Sequence, residues 1–479
     1  MNRWTLNSLL KPIVRWLIAC SLVHGLGLDA LKAQPSHAQA IERTVANDYN
    51  DFQRHVRAGS LDSAYADAQA VANQNVPILN GLLHDAFMQS FLPTATARAD
   101  TAFTRRLLRQ LFVSTTSKPL QQSVYPLYKW VEVQTTLADT VRTRQVVANF
   151  LTGLARSPEE RGNRIERYAL GIYALLKTHK VYAALADTLL ERTRQRLDHA
   201  VSGRYFQPAE ERTLREARAY FRYLMAYSSW LKAQAAKAAN DTAQQATYLK
   251  VASQFSPDET DRLAPSAYFY ESVFFFGNGE IAHFHQPYID FLLAKGGSAA
   301  VVPVITQLAI ADPAHIDLLK TYYVKAPVVG QSFRQYWTKA INEKLKPAEP
   351  FALVDLTGNG FDYSKHRGKW ILLDFWGTWC KPCVAELPAF QAFYDQVRSS
   401  KRTDLVVLTI ACHDLEQNVR DFIQKKGYTF PVAMGNEAVI KAFRVGEYPT
   451  KVLITPQGNR MKLPFGTNWT ERINIYTRN

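Results

Sequence analysis

The sequence predicts a multidomain chain, with a mainly α-helical N-terminal region at 41–345 and a C-terminal α/β fold at 347–479. In the first part apolar residues recur at spacings of three and four, the period of one helix face. In the second part short apolar runs typical of strands alternate with helical stretches. A proline-rich segment at 346–350 separates the two patterns. We therefore place the domain boundary at that segment.

Length and composition are those of a folded protein with more than one core. The chain has 479 residues, of which 47% are hydrophobic and 21% charged, so its composition is far from that of a disordered chain. The formal net charge is +15, but the basic residues are spread along the whole sequence. Because neither a basic stripe nor a known reader motif is present in the sequence, we expect no nucleic-acid partner.

Residues 1–40 have the pattern of a cleaved export signal. Basic residues precede an apolar run at 16–28, and Ala38 and Ala40 have the spacing of a small-residue cleavage site. The apolar run is shorter than the roughly 20 residues that a transmembrane helix needs. We expect cleavage after Ala40 or after Ala33, and a periplasmic mature protein.

The four cysteines are too few for a disulfide-stapled scaffold. Cys20 lies in a segment that resembles a bacterial lipobox, so a membrane-anchored lipoprotein is the alternative to cleavage after Ala40. Cys380 and Cys383 are separated by two residues, and a bridge between them closes a very small loop that constrains little of the unfolded chain. This spacing favours a reactive pair over a structural bridge. We interpret Cys412, at a strand end, as a buried apolar thiol.

Two apolar stripes and two capping patterns support the helical prediction for the first region. Segments 157–160 and 256–259 each offer a capping serine, a first-turn proline and a following glutamate. A helical-pair solenoid of the tetratricopeptide kind and an irregular bundle are both compatible with these patterns. The stripes are Leu214, Ala217, Phe221, Leu224, Tyr227 and Leu231, and Tyr168, Ile172, Leu175 and Leu176.

The α/β prediction rests on an alternation of strands and helices, which implies a layered sandwich. The apolar run 370–376 has the composition of a buried central strand. The other predicted elements are strands Phe351–Leu356, Leu405–Ala411, Lys451–Thr455 and Arg460–Phe465, and helices Cys380–Val397 and Leu415–Lys425.

The segment Cys380-Lys381-Pro382-Cys383 opens a predicted helix at the end of that central strand. The N-terminus of a helix offers unpaired N–H groups and partial positive charge, which stabilise a thiolate and lower its pKa. The short gap lets the second sulfur reach the first, so that a mixed disulfide at one cysteine can be resolved by the other. The segment therefore predicts thiol-disulfide exchange.

These residues resemble the thioredoxin superfamily and, within it, the exported TlpA/ResA-like thiol-disulfide oxidoreductases. The resemblance covers about residues 347–479 and rests on Trp379 to Cys383, on Glu386 and Pro388, and on Tyr448-Pro449-Thr450. It implies a thioredoxin-like fold, protein thiols and disulfides as partners, a membrane electron donor that would make the protein a reductase, and no cofactor besides the cysteine pair. The helical region resembles, more loosely, N-terminal extensions of TlpA-like proteins from Bacteroidetes-type bacteria.

The resemblance implies four catalytic residues. Cys380 matches the attacking cysteine, and Cys383 matches the more buried resolving cysteine. Asp374, six residues before Cys380, matches a buried acid whose raised pKa suits proton exchange near neutrality. Glu386 matches an acid typical of this branch. The alternative interpretation is that Asp374 is an ordinary turn-facing acid and Glu386 a helix-surface acid.

The resemblance also implies a partner-binding edge. Pro449 matches the family's cis-proline, and Tyr448 before it could pair with an extended strand of a partner. Trp379 is expected either to contact the partner or to pack internally. Only fourteen residues follow Phe465, so we expect the usual closing helix to be short or missing, with part of the sheet covered by the helical region.

Other uses of the cysteine pair fit the sequence poorly. Structural zinc needs four ligands, and no second close pair occurs. Covalent haem attachment needs a histidine after the second cysteine, where Val384 stands. His283 and His285 are two residues apart, on different helix faces, which disfavours a metal site. The alternative function is a helical peptide-binding or scaffold protein whose thioredoxin-like part is a redox switch.

Overall fold

The computed structural model describes residues 37–92, 101–156, 162–202, 211–258, 261, 266–278, 282–343 and 345–478. Cys20 and the predicted signal peptide up to residue 36 lie outside the described residues. So does the predicted helix start at 157–160. The second predicted helix start begins at Ser256 and includes residue 259, which also lies outside the described residues. In the structure Ser256 is the C-cap of the preceding helix.

The N-terminal part is mainly helical over the described residues, as predicted. Helix formation follows from the apolar stripes, because Tyr168, Ile172 and Phe221 are fully buried in one continuous core. The side chain of Leu214 lies outside the described part. The helices are α1 His37–Ala58, α2 Leu61–Gln74, α3 Val76–Gly81, α4 Thr101–Arg109, α5 Lys118–Thr136, α6 Thr140–Arg156, α7 Ile165–Lys177, α8 Ala183–Val201, α9 Glu211–Ala238, α10 Thr242–Phe255, α11 Ser266–Phe276, α12 His285–Ala311, α13 Ile316–Lys325 and α14 Phe333–Asn342.

The C-terminal part is the predicted α/β fold, built on a six-stranded sheet of order β1-β8-β7-β4-β5-β6 with a separate β2–β3 hairpin. Strand β4 pairs parallel with β5 and antiparallel with β7. The strands are β1 Lys346–Pro347, β2 Ala352–Val354, β3 Gly360–Asp362, β4 Trp370–Trp376, β5 Leu405–Ala411, β6 Val432–Met434, β7 Thr450–Ile454 and β8 Asn459–Leu463. The helices are α15 Lys381–Ser399, α16 Glu416–Lys426, α17 Glu437–Ala442 and α18 Trp469–Arg478.

The sheet is covered on both faces, which explains the apolar composition of β4. Leu372 and Trp376 point to the face that packs against α15 and α18. Ile371, Leu373 and Phe375 point to the other face, against the β2–β3 hairpin and α17. Side chains alternate along a strand, so every second residue of β4 shares a face with its neighbours two positions away.

The closing helix α18 is short, and helices from the first region extend its layer. Trp337 of α14 stacks on Tyr476 of α18 with ring centroids 6.1 Å apart. Tyr476 Oη donates to the Ile310 carbonyl at 3.0 Å, and Arg472 donates to the Ala311 carbonyl at 3.3 Å. Residues of α12, α13 and α14 therefore share one core with the sheet. The domain boundary near residue 346 stays a prediction.

Helix α12 is also the one described helix whose length and composition would suit a membrane span. A non-helical residue, Gly297, divides it. Its second half buries Val301, Val302 and Ile305 in the core that it shares with the sheet. The apolar composition of this half is therefore explained by packing within the protein.

We predict that Trp337→Ala loosens α18. Trp337 is fully buried, so its truncation leaves a cavity that costs about 3–5 kcal/mol of stability. Backbone amides of residues 469–478 should then exchange with solvent faster, as measured by hydrogen exchange on the full chain. Trp337→Phe is the control, because it keeps a ring and removes an indole N–H that has no hydrogen-bond partner among the described residues. Unchanged exchange in α18 of Trp337→Ala would contradict the shared core.

Candidate active site

The two cysteines lie where β4 passes into α15. Cys380 is the N-cap of α15, and its Sγ accepts a hydrogen bond from the Cys383 N–H at 3.3 Å. The two sulfurs form a disulfide. Both are buried, but Cys380 is 5% exposed and Cys383 1%. Pro382 in the first turn suits this helix start, because that position needs no backbone donor.

The loop between β4 and α15 is fixed to the end of β5. Asp414 accepts hydrogen bonds from the Thr378 N–H and hydroxyl, both at 2.7 Å. Trp379 Nε1 donates to the Cys412 carbonyl at 3.1 Å. The Trp379 indole lies so close to Gly377 that a Cβ at Gly377 would overlap the ring. These contacts hold the segment before Cys380 in one arrangement.

Asp374 lies on β4, on the face of the sheet that packs against the helix of the cysteine pair. It stands between Leu372 and Trp376 on β4 and therefore points to the same face, whose core includes Cys380 and Cys383. Asp374 is 2% exposed. Burial raises the pKa of its carboxyl to about 6, against the opposing effect of the nearby Lys451 ammonium. This is a suitable value for a group that exchanges a proton near neutral pH.

Lys451 joins the two predicted acids, and sequence reasoning missed it. It is the direct cross-strand partner of Asp374. Its Nζ lies 3.2 Å from Asp374 Oδ1 and 2.6 Å from Glu386 Oε2. Burial opposes the charged ammonium, but the two carboxylates outweigh that effect and the pKa of Lys451 is raised. We call Asp374, Lys451 and Glu386 the buried ion triad.

A signal for Lys451 was present in the sequence. It is the one charged residue of Thr450–Ile454, a strand that is buried throughout. A lysine in a wholly buried strand needs a partner, whereas the same residue on an edge strand is ordinary. The sequence alone does not give the order of the strands in the sheet, so it does not distinguish these two settings.

Three aromatic side chains lie together beside the loop that carries Cys380. The Tyr448–Pro449 peptide bond is cis, as the resemblance implied. The Tyr448 ring lies 5.3 Å from that of Trp379 and 5.8 Å from that of His413, each edge to face. Trp379 is 51% exposed. This aromatic rim of Trp379, His413 and Tyr448 could contact a bound partner chain.

Behind the rim, Cys412 is a buried free thiol whose pKa burial raises to about 12, so it stays protonated. Its setting agrees with the predicted apolar thiol. Over the described ranges, no group of three or more histidine, cysteine or acidic side chains has an arrangement that could hold a metal ion.

One family model and one solved structure match the C-terminal part of the chain. The AhpC/TSA family matches residues 345–459. A solved structure of a thioredoxin-family thiol:disulfide interchange protein from Chlorobium tepidum is 24% identical, with 28% of this chain and 95% of that chain covered and a TM-score of 0.26.

Two relatives of known family show the family to which this chain belongs. The thiol-disulfide oxidoreductase ResA of Geobacillus kaustophilus is 35% identical over 127 residues, which are 26% of this chain and 71% of that protein. The sporulation thiol-disulfide oxidoreductase A of Bacillus subtilis is 31% identical over 137 residues, 28% of this chain and 83% of that protein. With this identity and coverage, the chain belongs to the ResA-type thiol-disulfide oxidoreductases, and its C-terminal part carries their thioredoxin-like fold.

Proposed function

We propose that this oxidoreductase exchanges disulfides with partner proteins through Cys380 and Cys383. The observation that carries the proposal is the position of the pair at the start of α15, together with a buried acid, Asp374, on the sheet face against which α15 packs. A bridge between residues this close contributes little to stability, so a redox-active role explains it better than a structural one.

The reductive half-reaction begins at Cys380. Its thiolate attacks a partner disulfide, forms a mixed disulfide and releases one partner sulfur as a thiolate. The Cys383 N–H, which donates to the Cys380 sulfur, and the start of α15 stabilise the negative charge of the attacking thiolate.

The second step belongs to Cys383. Its thiol gives its proton to the Asp374 carboxylate and its sulfur attacks Cys380 Sγ. The second partner thiolate leaves, and the Cys380–Cys383 bond forms. Two electrons have moved from the cysteine pair to the partner, so a dithiol donor must reduce the pair before the next cycle. We propose a membrane electron donor for this role.

Partner recognition is assigned to the edge around Tyr448 and Pro449. Tyr448, before the cis-proline, contacts the ring of Trp379, which directly precedes Cys380. An extended partner segment could add as a strand along this edge. Trp379, half exposed and fixed by its hydrogen bond to Cys412, would lie against that segment.

The proposal also includes export from the cytoplasm and the reductive direction of disulfide exchange. The signal pattern at 1–40 supports a periplasmic site of action, with lipid anchoring through Cys20 as the alternative. The reductive direction depends on the reduction potential of the pair relative to those of its partners. Equilibration of the mature protein in glutathione buffers measures that potential, and a value above those of the partner disulfides would make the pair an oxidant of those partners instead.

We predict that Cys383→Ser accumulates mixed disulfides. Cys380 can still attack, but no second sulfur is present to release the partner. Purified variant incubated with a disulfide-containing protein such as insulin should show a higher-mass band on non-reducing gels, and the band should disappear after reduction. Cys380→Ser is the matched control and should give no band. A Cys383→Ser protein that traps nothing would count against Cys380 as the attacking group.

We further predict that Asp374→Asn slows the second step. In the wild type the rate of this step should rise with pH through about 6, because Asp374 must lose its proton before it can accept one from Cys383. Asparagine cannot accept that proton, so the rise near pH 6 should vanish and the rate at pH 7 should fall about 10²-fold, the lower end for general-base catalysis. Stopped-flow measurement across pH 4–9 checks this. A variant that keeps the rise near pH 6 would exclude Asp374 as the base.

A further inference from the structure

We propose that Lys451 is a positioning residue that keeps Asp374 ionised for the Cys383 step by dividing its positive charge between Asp374 and Glu386. The inference rests on the proposed function and assigns a part of it to a residue with no role so far.

The geometry supports a shared charge. The ammonium lies 2.6 Å from a Glu386 oxygen and 3.2 Å from an Asp374 oxygen. One positive charge cannot neutralise two carboxylates, so the two acids compete for it. Glu386 is partly open to solvent, with 29% of its side chain exposed, whereas Asp374 is buried. The buried acid therefore depends more on the ammonium than the exposed one does.

The surroundings leave Lys451 little freedom. Its Nζ lies 5.0 Å from the centre of the Trp469 ring of α18. Trp469 in turn packs against Phe390 and Phe393 of α15, the helix that carries Cys383 and Glu386. The ammonium is thus held over a fixed aromatic face and directed at the two acids.

Within the described ranges, the titratable groups beside Asp374 lie on three elements. Strand β7 presents Lys451, and α15 presents Glu386 and Cys383 on the shared face. At the end of β5, the Cys412 thiol is close enough for Asp374 to raise its pKa further, but burial keeps that thiol protonated. Changes in the Asp374 titration therefore report on Lys451 and Glu386.

Substitutions of Lys451 and Glu386 should shift the pH at which Asp374 loses its proton in opposite directions. Loss of the ammonium removes the opposite charge beside Asp374, so its carboxyl holds the proton to higher pH. Loss of the Glu386 charge removes a like charge and leaves the ammonium to Asp374 alone, so its carboxyl releases the proton at lower pH. A residue that served only for packing would not produce shifts of opposite sign.

The experiment follows the reaction of the reduced full-length mature protein with a chromogenic aromatic disulfide, dithiobis-nitrobenzoate. Attack by Cys380 breaks the reagent's S–S bond, forms a Cys380–aryl disulfide and releases one coloured thiolate. Cys383 then gives its proton to Asp374 and attacks Cys380, which releases the second thiolate and forms the Cys380–Cys383 bond. The pH midpoint of this second phase is the readout.

We expect Lys451→Met to raise that midpoint by at least one pH unit, from about 6 to about 7 or higher. The ionised fraction of Asp374 at pH 7, and with it the second-phase rate, should then fall at least about twofold. Glu386→Gln should lower the midpoint. Lys462→Met is the matched control, since Lys462 is an exposed lysine of the neighbouring strand that pairs with Glu447 at 2.7 Å. It should leave both phases unchanged.

A double substitution tests whether Lys451 acts through Asp374. In the Asp374→Asn background, Lys451→Met should cause no further slowing of the second phase. An unchanged midpoint in Lys451→Met, or full additivity in the double variant, would overturn the inference. If Lys451→Met does not fold, as judged by circular dichroism, the sign of the Glu386→Gln shift decides, and an unchanged or raised midpoint rejects the inference. Absence of a second phase in the wild type would instead refute the proposed exchange function.

Discussion

A single buried ammonium, that of Lys451, is the constraint on which the arrangement of the catalytic part depends. A charge in a protein interior is stable only with close partners, and removal of one partner from a buried pair costs about 3–5 kcal/mol. Lys451 is 5% exposed and has two carboxylates within 3.2 Å. Because these come from β4 and α15, the ammonium connects the central strand, the strand beside it and the helix that carries the cysteine pair.

The sheet order makes this connection possible. Asp374 and Lys451 meet because β7 runs antiparallel to β4 in a register that sets them directly opposite each other. A shift of that register by one residue would turn Lys451 to the other face, which is lined by apolar side chains, and would leave the charge without a partner. The triad therefore helps to fix the register, while the fixed register sets the ammonium beside Asp374.

The sequence predicts the parts of this site that depend on neighbouring residues. It does not predict the contact between Asp374 and Lys451, which depends on two strands that are distant in sequence. Strands 370–376 and 405–411 were predicted with the observed bounds, since continuous apolar runs leave little choice. The N-cap position of Cys380 was also readable from neighbouring residues. The strand Val432–Met434 and the helix Glu437–Ala442 are short and lack a full period, so no pattern identified them. Lys451 was missed because its meaning depends on which strand lies beside it, 77 positions away in sequence from Asp374.

The position of Lys451 also links the helical region to the cysteine pair, through α18. Trp469 faces the ammonium from α18, a helix of 10 residues. A helix this short is weak alone, and its far end is held by the Trp337 stack and by hydrogen bonds to the end of α12. The helices before residue 345 thus support the element that holds Lys451 in place. A change in how α14 packs on α18 would move Trp469 and, through it, the ammonium of Lys451. The proton affinity of Asp374 would then change, so the helical region can influence exchange without contacting the cysteines.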